Sequence, residues 1–282
     1  MLERRLVIVT GKGGVGKSAV AAALAVAARR QGKKVLAVSM VGPGDGLAAH
    51  LGTGRLAPEA TELRPGLWAL HIDRARALAE YLQSQMRLPA IATFGPVARA
   101  FDAFAAAAPA IREIVAIGKV LWEVRRGTWD IVVVDGPPTG QVGSYLRAAK
   151  TIEELVPAGR IADQAGWMDE TLRDADHTSL ALVTIPEELP TVESEALLGW
   201  LAREQVVGHH QIVANRVLDP LEVPATLPAG PAGDAARLHL ALWEGQRSWL
   251  ERLPADLELP YLFGLLTPAE VAARLADTWE AR

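Results

Sequence analysis

The sequence predicts an α/β protein, with a mainly parallel β-sheet flanked by helices in one domain of residues 1–282 and a helical subdomain at about 75–126. Three observations carry this. Short, continuous apolar runs rich in Val and Ile recur along the chain, as strands buried on both faces require. Stretches with helical spacing lie between those runs. A glycine-rich turn joins the first strand to the first helix, which is where such sheets place a ligand.

Leu6-Val7-Ile8-Val9-Thr10 is the first strand, and the Ala-rich segment Lys17–Arg30 is a helix that ends near Gly32. Val35–Ser39 is the second strand and Leu67–Asp73 the third. Helical patterns at Ala75–Arg87, Val97–Phe104 and Ile111–Arg126 form an insert between strands. Asp130–Asp135 contains Ile131-Val132-Val133-Val134, the clearest buried strand of the chain. Thr178–Ile185 and Gln211–Asn215 add two more strands, and Leu259–Leu262 a last short one. Val192–Glu204, Ala235–Leu253 and Pro268–Ala281 read as helices, whereas Asp219–Gly233, rich in Pro, Gly and Ala, reads as a surface loop.

Half of the residues are hydrophobic and 22% are charged, the composition of a packed protein rather than a disordered one. The net charge is −4 and lacks the basic excess of a protein that grips nucleic acid. With no cysteine, disulfides, thiolate metal sites and cysteine nucleophiles are excluded. The first residues run from Met1 straight into a strand, without the apolar stretch and cleavage site of a signal peptide. Ala19–Ala28 is too short to span a bilayer. A cytoplasmic protein is expected.

Gly11-Lys12-Gly13-Gly14-Val15-Gly16-Lys17-Ser18 satisfies G-x-x-x-x-G-K-[ST], with a strand before it and a helix after it, the context that this phosphate loop requires. Its glycines permit the positive φ that turns N–H groups inward around phosphate oxygens. The helix that follows adds its positive end. Lys17 would reach the β- and γ-phosphates of ATP, and the Ser18 hydroxyl would ligate Mg²⁺. Ala19, next in the same first turn, completes the nucleotide-binding segment. Asp135 closes the strand Ile131–Val134 ahead of Gly136-Pro137-Pro138-Thr139-Gly140, where a second Mg²⁺-holding carboxylate is needed; a helix cap is the bland alternative.

The segment KGGVGKS resembles the "deviant Walker A" group, in which the first lysine, here Lys12, reaches the phosphates of the partner subunit in a dimer. D-x-x-P-T-G after a hydrophobic strand narrows the resemblance to the ArsA-like ATPases: the arsenite-pump ATPase, the Get-pathway ATPase that carries tail-anchored proteins, and shorter bacterial forms. Ala108–Ile114 with Gly118-Lys119-Val120, Thr184-Ile185-Pro186-Glu187-Glu188 with Glu193 and Glu195, and Ala214-Asn215-Arg216 match further family segments in order. The resemblance implies a dimer, with itself or with a paralogue, that couples ATP hydrolysis to a protein client. It assigns Lys12 and Lys17 to catalysis and Pro138 and Thr139 to a γ-phosphate sensor. It gives Asn215, with Arg216 beside it, to adenine, a strand-end turn being the alternative for Asn215. The acidic residues Glu187–Glu195 read as helix-start charge.

The chain departs from the family at switch I. Better-known members follow the second strand with Asp-Pro-Ala, whose Asp positions the attacking water, whereas Val41 stands at the matching position here. Asp45, in Gly42-Pro43-Gly44-Asp45-Gly46, either replaces that carboxylate or is a turn residue. Without cysteine, arsenite is not an expected ligand and the family's zinc staple is absent. His209-His210 reads as a surface pair. The insert residues Leu78, Tyr81, Leu82, Met86, Leu88, Ile91, Phe94, Val97, Phe101 and Phe104 either line a client groove or pack on the sheet. Two other readings stay open: a nucleotide-dependent scaffold with little turnover, and a MinD/ParA-type positioning ATPase. The mixed charges of Pro268–Arg282 fit the latter poorly.

Overall fold

The computed structural model describes residues 1–44, 46–78, 80, 110–155, 158–224 and 226–280. In chain order the elements are β1 (Leu6–Gly11), α1 (Lys17–Arg30), β2 (Val35–Ser39), α2 (Leu47–His50), β3 (Thr61–Arg64), β4 (Leu67–His71), α3 (Ala110–Arg125), β5 (Ile131–Asp135), α4 (Thr139–Leu155), α5 (Arg160–Arg173), β6 (Thr178–Thr184), α6 (Glu188–Glu204), β7 (His210–Val217), α7 (Pro231–Arg252), β8 (Leu257–Pro260) and α8 (Pro268–Glu280). Residues 74–78 and 80 are also helical.

The described strands form one sheet in the order β3-β4-β2-β5-β1-β6-β7-β8. Every pairing is parallel except that of β3 with β4. Successive side chains of a strand point to opposite faces, and β1 shows this in the core. Val7 and Val9 enter one layer with α1 and α8, while Leu6 and Ile8 enter the other with α3, α4, α5 and α6. The central strands therefore need apolar residues at every position, which is why they read as unbroken runs.

Helix α1 is buried without interruption from Ala19 to Ala28. A helix apolar on all sides has no solvent face, and here it lies between the sheet and the α8 residues Ala272, Leu275 and Ala276. Its small side chains allow that close approach on both sides. The phosphate loop is consequently anchored at both ends in the densest part of the molecule.

Four elements were not expected from the sequence, the short α2 among them. Edge strand β3 is polar and largely exposed, Thr-Glu-Leu-Arg, and joins β4 through a turn at Gly66 with φ of 85°. Its charges suit an edge that must not pair further. Helices α4 and α5 carry glycines and charges that dilute their apolar stripe. Val142, Tyr145, Leu146 and Ala149 of α4 nonetheless fall at helical spacing and enter the core. Strand β8 begins at Leu257, earlier than its prediction, because Leu257 and Leu259 both point inward. Of the apolar insert positions, Leu78 is helical and half-buried; the others, between 81 and 104, lie outside the described residues. Among the described residues, no helix is long and apolar enough to cross a membrane.

Candidate active site

The carboxyl ends of β1, β5 and β2 lie side by side, with Val9 opposite Asp135 and Asp135 opposite Ser39. β1 runs into Gly11, where a Cβ would sit 2.1 Å from the Val183 carbonyl oxygen of β6. Only glycine lets the loop leave the sheet there. Gly14 and Gly16 adopt left-handed φ values of 88° and 95°, and α1 opens immediately afterwards with no side-chain cap. The first-turn N–H groups of α1 thus lack a side-chain acceptor, as an anion-binding helix start needs.

Lys17 Nζ donates to the Lys12 carbonyl at 3.0 Å, which folds the ammonium over the loop. Burial lowers its pKa, and the Asp135 carboxylate partly opposes this. Ser18 Oγ donates to Asp135 Oδ2 at 2.7 Å. Asp135 is 1% exposed, and its Oδ1 is buried without a hydrogen-bond partner. Burial raises the Asp135 pKa against the pull of Ser18, Lys17 and His50. A carboxylate with one orphaned oxygen beside a serine hydroxyl fits the oxygen donor set that Mg²⁺ prefers. No group of three His, Cys, Asp or Glu that could hold a metal occurs among the described residues, so a cation here would draw its remaining ligands from phosphate and water.

The segment beyond β5 is tied to β1. Gly136 N donates to Val9 O at 2.9 Å, and Thr10 Oγ1 donates to the Pro137 carbonyl at 2.7 Å. Pro138 precedes α4 and accepts from the N–H groups of Gln141 and Val142. Thr139 opens α4, and its hydroxyl donates to Glu193 Oε2 at 3.1 Å. Glu193 Oε1 pairs with the Lys12 ammonium. The hydrogen bond from Lys12 lowers the Glu193 pKa; burial opposes this, and the Thr139 hydrogen bond and the Lys12 charge add to the lowering. Glu193 lies within α6, so the acidic stretch is more than helix-start charge: one member reaches across to the phosphate loop. Glu195, by contrast, pairs with Arg252.

On the β2 side, Val41 is 69% exposed and supplies no carboxylate. Ser39 Oγ donates to the Gly42 carbonyl at 2.8 Å and closes a turn. Gly46 has φ of 68°, and a Cβ there would sit 2.9 Å from Ser18 Oγ, so this loop lies directly over the Ser18–Asp135 pair. Asp45 lies outside the described residues.

Asn215 lies near the end of β7. It is buried, and its Nδ2 donates to the Val15 carbonyl at 2.9 Å. A Cβ at Gly16 would lie 2.4 Å from that nitrogen. Asn215 braces the phosphate loop from β7, and its amide oxygen and second amide hydrogen are not used in that contact. Arg216 is exposed at φ 57°, and its carbonyl accepts from Gln246 Nε2. The Ala19 side chain packs into the core, which leaves its backbone N–H as the group it could offer a ligand. His209 contacts Ser179 Oγ at 2.9 Å, away from the loop.

Sequence reasoning missed Thr10, Gly46 and the reach of Glu193. Only Glu193 had a signal, the resemblance of Thr184–Glu188 with Glu193 and Glu195 to a family segment, which did not reveal its reach.

Residues 4–164 match the family described as anion-transporting ATPase. The chain is 31% identical over 242 residues to ATPase BagA of Mycobacterium tuberculosis, covering 82% of this chain and 70% of that one. It is 27% identical over 250 residues to ATPase get3 of Schizosaccharomyces japonicus, covering 76% and 75%. It is 30% identical over 241 residues to a putative arsenical pump-driving ATPase of Halobacterium salinarum, covering 77% of this chain but 36% of that longer protein. A glycine loop seated against β6, a buried aspartate one strand away and these alignments lead to one conclusion: the chain belongs to the ArsA-type P-loop ATPases and binds and hydrolyses ATP.

Proposed function

We propose that the chain is a MgATP-driven dimeric switch that transmits its nucleotide state to a protein client. The observation that carries this is the pairing of Ser18 with the buried Asp135 beneath Gly46, the second oxygen of that carboxylate being left without a partner. Lys17 and the N–H groups of Gly13–Ala19 hold the β- and γ-phosphates. Ser18 holds Mg²⁺ directly, and Asp135 does so through water. The Asn215 amide oxygen accepts from the adenine amino group while its nitrogen keeps the loop in shape.

Lys12 acts on the phosphates of the partner subunit, and a charge supplied in trans is worth about 10³–10⁵ in rate. Asp45 is the water-positioning carboxylate; support comes from its sequence neighbour Gly46, which lies against Ser18. The N-terminal end of α4, carrying Pro138 and Thr139, passes the state of the γ-phosphate to the helices beyond. The ligand is a protein rather than arsenite, since no thiolate is present to bind a metalloid.

Steady-state ATP hydrolysis measured against protein concentration, for wild type and Asp45→Ala, tests this reading. Turnover per chain that rises with concentration and is lost in Asp45→Ala supports it. Turnover independent of concentration removes the dimer, and full activity in Asp45→Ala removes Asp45. The exposed Val41 favours a second reading, a nucleotide-dependent scaffold with slow turnover. ATP binding with no concentration-dependent turnover would select it.

A further inference from the structure

Glu193 stands at a junction that the proposed reading leaves without a role. One carboxylate oxygen takes the Lys12 ammonium and the other takes the Thr139 hydroxyl, 3.1 Å away. Those donors belong to the two segments that answer to the terminal phosphate, the glycine loop and the start of α4. A γ-phosphate presents the same chemistry as this carboxylate: anionic oxygens that accept from an ammonium and a hydroxyl. The side chains of Lys12 and Glu193 are 28% and 42% exposed, so the pair is partly solvated and readily exchanged rather than locked in the core.

We propose that Glu193 is an internal stand-in for the γ-phosphate, a latch that occupies Lys12 and Thr139 until ATP displaces it. It is a positioning residue that favours the nucleotide-free and ADP-bound arrangement. ATP must compete with it, for Thr139 within the same protomer and for Lys12 across the proposed dimer, whereas ADP has no terminal phosphate and leaves it closed. When the carboxylate is displaced, the tie between the phosphate loop, α4 and α6 is cut, and the groove between α4 and α6, lined by Gly140, Gly143, Glu193 and Trp200, is free to change width. The latch rests on the reading that Gly11–Ser18 holds the triphosphate.

The test is the affinity of wild type and Glu193→Gln for a non-hydrolysable ATP analogue and for ADP, each with Mg²⁺. The amide keeps the size of the side chain and removes its charge. The latch predicts affinity for the analogue raised about fivefold with ADP changed by less than about twofold. In a Lys12→Met background the same Glu193→Gln substitution should give a smaller gain, since one of the two donors is already gone. Equal shifts for both nucleotides, or none for either, would overturn the latch, and so would an undiminished gain in the Lys12→Met background. Failure of wild type to bind either nucleotide would overturn the nucleotide site itself and the latch with it, a result distinct from binding without discrimination.

Discussion

The two sides of the nucleotide site are built on opposite principles. The floor, made of Gly11–Ser18 and α1, is continuous with the core. Gly11 lies against the β6 backbone, Asn215 braces Val15, and α1 is buried through Ala28. The rim, made of Gly42–Gly44, Gly46, Thr139 and Glu193, is held by scattered hydrogen bonds and one partly solvated ion pair. A rigid floor positions phosphate at no cost in reorganisation, and a weakly held rim can change when the phosphate does. On the proposed reading, the tightly packed part binds the nucleotide and the sparsely held part reports its state.

Substitutions can break this comparison or sharpen it. Gly11→Ala should act on the fold itself, because its Cβ would meet backbone rather than a mobile side chain. A loss of more than about 3 kcal/mol is expected, measured as failure to fold or a large fall in Tm. Gly16→Ala meets only the end of the Asn215 side chain and should leave more of the folded protein; equal damage from both would show that the floor is not graded in this way.

Next comes the pair of lysines. Lys17→Ala should abolish ATP binding, whereas Lys12→Ala should spare binding and lower turnover by about 10³-fold or more. Isothermal titration and steady-state kinetics separate the two. Equal loss of binding would place Lys12 in the floor.

Asp135→Asn should lower turnover by about 10²-fold and yet raise Tm without nucleotide. The Asp135 pKa is raised on folding, first by burial. The folded state therefore holds this proton more tightly than the unfolded chain. That contribution to stability is present at low pH and is lost as the pH rises from the unfolded pKa through the folded one. The stability gap between Asp135→Asn and wild type should accordingly widen from about pH 4 towards neutral. A gap that stays constant with pH would show that the charge is not what destabilises the site.

Asn215→Ala is the mildest change. Loss of one hydrogen bond, about 1 kcal/mol, should raise KM for ATP about fivefold with kcat nearly unchanged. A fall in kcat instead would move Asn215 from brace to chemistry.

What the sequence made legible follows the same division. β1, β5 and β6 are unbroken apolar runs because both of their faces are covered, and the phosphate loop is contiguous in the chain. Fold and floor could thus be read directly. α4 escaped because Gly140 and Gly143 interrupt a stripe whose buried members are Val142, Tyr145 and Leu146. α5 escaped because its charges break up a short apolar stripe whose buried members are Ala165, Met168 and Leu172. The rim was least visible, since it is assembled from distant segments. Lys12 and Glu193 are separated by 181 positions, and Thr139 and Glu193 by 54. No local pattern distinguishes a glutamate that crosses to a glycine loop from one that begins a helix.

The packing of α4 on α6 has an optical consequence. A Cβ at Gly143 would lie 3.3 Å from the Trp200 ring, so the indole rests on the backbone of α4 one turn beyond Thr139. Trp200 is partly buried and packs against the core layer that contains α4. Any displacement of the start of α4 alters the solvation of this chromophore. Trp200, carried by α6 and one of eight tryptophans in the chain, would thus report, above the emission of the other seven, any movement of α4 that the proposed switch requires.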